Sequence, residues 1–114
     1  MVAILTTEQR RERAERHVAF IDEQIRFLEQ NLSPEARVER EFQRWRQGLF
    51  RRYATAEDSV LEQRLEELKA VIRPETWLIR HRMSRAQARD EAEWRAVCEV
   101  VIIEYLLGLY PWRG

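Results

Sequence analysis

Glu99 and Glu104 stand five residues apart in the most apolar stretch of the chain, Ala96 to Tyr110. An ionised carboxylate among such neighbours is costly without a partner, so each must be paired or chemically employed. Paired carboxylates can move protons or hold a metal. Metal sites in helical bundles, however, use a glutamate three residues before a histidine, and neither His17 nor His81 has one there. Five residues of helix also turn the two glutamates about 140° apart. An ion pair with an arginine from another helix is the better expectation, although Arg95 also lies one turn before Glu99.

The other reactive types are sparse. His17 falls beside an apolar stripe and reads as a core-edge residue; Arg11, six residues before it, is one of nineteen arginines and singles out nothing. Cys98 is the sole cysteine, which rules out an intrachain disulfide and fits a small buried hydrophobe. No catalytic residue, metal ligand or cofactor motif emerges, and a non-enzymatic protein is expected.

Charge is abundant but balanced, with twenty basic and twenty acidic residues. No global field therefore steers the molecule toward nucleic acid or a membrane, and any electrostatic role must come from local segregation. Arg37, Arg40, Arg44 and Arg51 fall within about 60° of one another on a helix projection. From Arg37 to Tyr53 six arginines face only Glu39 and Glu41. Arg80, His81, Arg82, Arg85 and Arg89 make a second basic cluster. Such a ridge can track phosphates without reading bases. The plainer expectation is a solvated face paired with the acidic stretch Glu57, Asp58, Glu62, Glu66 and Glu67.

Those groups must be carried by helices. Ala14, Val18, Ile21, Ile25, Leu28 and Leu32 alternate four and three apart, winding one stripe down a helix. Thr6 and Gln9 form a capping box, so this first helix should run from about Thr7 to Gln30. Phe20 and Phe27 are expected to widen its apolar face. Ser33-Pro34-Glu35 starts a second helix, antiparallel to the first, with Val38, Phe42, Trp45, Leu49 and Tyr53 inward and Phe50 further round, open to exposure. Gly48 lies off that stripe.

A break near Ala54–Asp58 is favoured over one helix from Pro34 to Ile72. Thr55 or Ser59 would cap a third helix bearing Val60 or Leu61, Leu65, Leu68 and Ile72. Arg73-Pro74 ends it, and Pro74 opens a short helix with Trp77 and Leu78. Ser84 and Gln87 form another capping box, from which a last helix should run to about Leu109.

The expected architecture is a single all-α domain over residues 1–114, an antiparallel bundle of four to five helices with the apolar C-terminal helix as its spine. From Val97 to Tyr110 that helix is apolar on nearly every side, more than a small bundle would cover. Val97, Val101, Tyr105, Leu109 and Trp112 are therefore the candidate apolar interface. The leading expectation is an interaction or scaffold protein that self-associates or docks in a larger assembly. The alternative is a nucleic-acid-backbone binder using Arg37, Arg40, Arg44, Arg51, Arg80, Arg82, Arg85 and Arg89. No stretch reaches the ~20 apolar residues of a membrane span, and Met1–Leu5 lacks the form of a secretory signal; a cytoplasmic location is expected.

Overall fold

The computed structural model describes residues 5–110 and is all-helical among them. Helix α1, Thr7–Glu29, opens on the expected capping box. The Gln9 amide donates to Thr6 Oγ1 at 3.1 Å, and the Thr6 amide donates to Gln9 Oε1 at 2.9 Å. Ser33 Oγ accepts from the Ala36 amide at 3.2 Å and starts α2, Pro34–Tyr53. The two form an antiparallel hairpin with the most extensive helix contact in the molecule. Arg40 secures its tip, donating to the Leu28 and Asn31 carbonyls where α1 ends and its last carbonyls lack helical partners.

The inward face of the hairpin is narrower than its periodicity suggests. Arg10, Ala14, His17, Ile21 and Ile25 are the buried residues of α1, so the stripe is already filled. Phe20 and Phe27, expected to widen it, are 55% and 74% exposed, and Leu32 lies past the helix in solvent. On α2, Phe50 reverses its expected place and is fully buried, while Val38 points outward. Phe50 is drawn in by His17, whose ring stacks on it at a centroid distance of 4.9 Å.

The chain breaks after Tyr53 as expected, and α3 spans Asp58–Val71. Neither Thr55 nor Ser59 caps it. Glu57 takes the N-cap position without a side-chain bond, and the turn is held instead by Arg10, whose guanidinium binds the Ala56 carbonyl and the Asp58 carboxylate. Leu61, not Val60, enters the core with Leu65, Leu68 and Ile72. Helix α4, Pro74–Ile79, half-buries Trp77 and leaves Leu78 exposed.

The last helix begins later than expected. The Ser84–Gln87 box closes only one 3-10 turn, Arg85–Gln87, after which Ala88 is extended. Asp90 then supplies a fresh cap, accepting from the Glu93 amide at 2.8 Å, and α5 spans Glu91–Leu107. It stops short of Leu109 because Gly108 adopts φ 81°, the left-handed C-terminal turn that a residue without Cβ takes at least cost.

Helix α5 is the spine, packed by α1, α2 and α3. Val100, Ile103, Leu106 and Leu107 are fully enclosed with Ile21, Phe50 and Leu61. Much of the surface expected to need outside cover is thus covered within the chain. Val97 and Tyr105 are buried by their own chain, and Val101 and Leu109 are half-buried against the core. Trp112 lies outside the described residues. No helix among the described residues is long and apolar enough to cross a membrane.

Candidate functional site

Three carboxylates on α5 enter the interior, and each meets an arginine from outside α5: Arg64 of α3, and Arg73 and Arg80 at the two ends of α4. Glu93 accepts from Arg73 Nε and Nη2 at 3.0 and 2.9 Å, from the Arg73 and Arg89 amides, and from Thr76 Oγ1. The Arg73 hydrogen bonds, joined by those of the backbone amides, outweigh burial and hold its pKa down to about 2. Glu99 accepts from Arg64 Nε at 2.7 Å and from the Tyr53 hydroxyl. Glu104 is gripped by Arg80 Nε and Nη2 at 2.9 and 2.8 Å and lies 2.9 Å from His81 Nε2. In both, burial pushes the pKa up but the hydrogen bonds prevail, leaving it below the ordinary value. Charge-assisted, two-pronged contacts of this kind keep buried carboxylates ionised.

The interhelical arginine pairing expected for Glu99 and Glu104 is present. Arg95 is not part of it; it lies 3.4 Å from Glu91. The two glutamates occupy separate sites, and no metal-binding cluster of His, Cys, Asp or Glu occurs among the described residues. His81 does meet Glu104, but its ring is stacked on Tyr110 at 4.0 Å and Arg80 already neutralises the carboxylate. Arg80 itself lies over the Trp77 ring at 4.0 Å. This packing fastens the segment after α4 to the end of α5.

His17 sits between Phe50 and the edge of Tyr105, and burial, with Arg46, Arg16 and Arg13 nearby, lowers its pKa. The imidazole is thus a neutral core ring. Burial pushes the Cys98 thiol up to about 11, so it stays protonated and a poor nucleophile at neutral pH.

The basic ridges are largely occupied. Arg40 holds carbonyls. Arg37 pairs with Glu41 at 3.8 Å, Arg44 with Glu29 at 3.5 Å, Arg85 with Glu91 at 3.5 Å and Arg89 with Asp90 at 3.5 Å. Of the acidic stretch expected to neutralise them, Asp58 meets Arg10 and Glu67 meets Arg64. Arg51 and Arg82 are exposed.

What remains open lies along the hairpin. A cleft of about 340 Å³ between α2 and α5 is walled by Phe42, Trp94, Val97 and Val101, with Arg46 and Cys98. A second hollow of about 370 Å³ is formed by Gln24, Phe27 and Leu28 of α1. Glu39 and Gln43, hydrogen-bonded to each other at 2.8 Å, line both and join them. Phe27 lines this groove, and Phe20, two turns earlier on the same face of α1, is exposed too, as are Leu32 at the hairpin tip and Val38 on α2. Arg95 over Trp45 and Arg85 over Phe42, at 4.8 and 4.7 Å, close the α5 end. No family model, curated protein or solved structure matches this chain.

Sequence reasoning missed this surface because it assigned both phenylalanines to the core. The available signal was the complete stripe Ala14, His17, Ile21, Ile25, which already fills a helix face and leaves Phe20 and Phe27 about 110° away.

Proposed function

We propose that this chain is a non-enzymatic helical interaction module that docks protein through the distal half of its α1–α2 hairpin. The observation carrying this reading is a contrast in burial. Most of the apolar α5 is enclosed, whereas two phenylalanines on one face of a regular helix stand 55% and 74% in solvent. Leu32 and Val38 are exposed at the same end, while Val60, Val71 and Leu78 are scattered over α3 and α4. Single exposed apolar residues are ordinary, but aromatic side chains grouped beside a groove mark a contact surface. A phosphate-tracking ridge is less well supported, because six of its eight arginines already engage carboxylates or carbonyls.

A photo-crosslinking residue placed at Phe27, with a control at Leu78, tests the reading in the native cell. The expected result is a discrete protein adduct, from this chain or another, at Phe27 and not at Leu78. Equal, diffuse labelling at both positions would overturn it.

A further inference from the structure

We infer that the occupant of the exposed α1 face is a second copy of this chain, its α1 laid antiparallel to the first; this deepens the interaction reading above and depends on it. Arg16, Phe20, Glu23 and Phe27 are all exposed, and their four-three-four spacing brings them within an arc of about 60° on α1. That is the narrow seam two paired helices use. It is separate from the stripe that α1 commits to its own core, Ala14, His17, Ile21 and Ile25. The molecule thus carries two seams on one helix, only one of them filled.

The order of charge along the open seam selects the occupant and its direction. Arg16 lies toward one end and Glu23 toward the other, with Phe20 between them. A parallel copy would set Arg16 on Arg16 and Glu23 on Glu23, both repulsive. An antiparallel copy with its two-fold axis beside Phe20 sets each Arg16 opposite Glu23 of the second copy. The two Phe20 rings then meet at the centre, and each Phe27 lies over the first two turns of the second α1. Each Arg16 gains a carboxylate and each Phe27 loses water. A surface that is its own complement under a two-fold rotation is what an isologous dimer requires. Zero net charge leaves no long-range repulsion between copies. The contact is small beside a stable interface of roughly 1,200–2,000 Å², so the dimer is weak and reversible.

Sedimentation equilibrium of the full chain, from about 10 to about 500 µM in low salt, tests this. The wild type should pass from monomer to dimer across that range. Arg16→Glu and Glu23→Arg should each weaken association at least tenfold, and the double exchange should recover most of it; Phe27→Ser should abolish it. Circular dichroism melting should be unchanged in all four, since these side chains lie outside the core. A wild type that stays monomeric throughout, or single charge reversals without effect, would overturn the inference. Should the crosslinker at Phe27 then still capture a different protein, the interaction reading stands and the second copy does not.

Discussion

At the scale of single residues, buried titratable groups tie stability to pH in ways that can be separated. His17 has its pKa lowered from 6.5 by burial and, to a lesser degree, by three arginines. The unfolded chain therefore takes up the proton first, so stability is whole above pH 6.5 and declines as the pH falls below it. Urea unfolding at about pH 7.5 and 5.5 should show a lower midpoint at the acid value. His17→Phe keeps the ring against Phe50 and should flatten the decline; an undiminished decline would place the proton elsewhere. Glu93 behaves oppositely in type. Its pKa is depressed to about 2, chiefly by Arg73, so its contribution is present above about pH 4.5 and is lost as the pH falls toward 2. Glu93→Gln should lower the urea midpoint at neutral pH, because the bonds that Arg73 and the two backbone amides make to the carboxylate lose their charge assistance. Its acid unfolding limb should be correspondingly shallower.

At the scale of elements, helix starts explain both what was legible and what was not. Thr6–Gln9 and Ser33-Pro34 are local signals, and their hydrogen bonds form within three residues, so α1 and α2 begin where their sequences indicate. Ahead of α5 two capping sequences compete, and local chemistry alone does not choose between Ser84 and Asp90. The Arg73 and Arg89 amides both bind Glu93, which holds the preceding segment extended around the first turn of α5. Asp90→Ala should therefore cost about 1 kcal/mol, while Ser84→Ala should cost only a few tenths. Thermal melts of the two variants would show the ranking, and equal losses would contradict it. Arg10 was illegible for a different reason. Its partners, Ala56, Asp58 and Leu106, lie 46, 48 and 96 residues away, and no periodicity encodes such a contact. It joins the α2–α3 turn to the last turn of α5, whose own final turn has no basic residue. Arg10→Gln should orphan two carbonyls and destabilise by about 3 kcal/mol.

At the scale of the molecule, the same distribution of contacts separates a rigid end from a loosely held one. Most of α5 is enclosed, and Arg10 and Arg13 bind its terminal carbonyls at Leu106 and Tyr105. The distal hairpin has far less behind it: between residues 23 and 29 only Ile25 is buried, and between 34 and 38 only Ala36. Local opening there exposes little apolar surface and costs correspondingly little. Hydrogen exchange on a dilute sample should find the amides of residues 97–107 the slowest. Those of residues 23–29 and 35–38 should be the fastest of any helix longer than two turns. A hairpin that is loose alone and self-complementary in charge has the most to gain from a second copy, because pairing buries Phe20 and Phe27 where the bundle left them wet. Raising the concentration should therefore slow exchange along α1 around residues 20–27 and leave α5 unchanged. If the hairpin already exchanges as slowly as α5 at dilution, it is held by contacts within one chain, and the surface assigned to a partner has no stability left to gain.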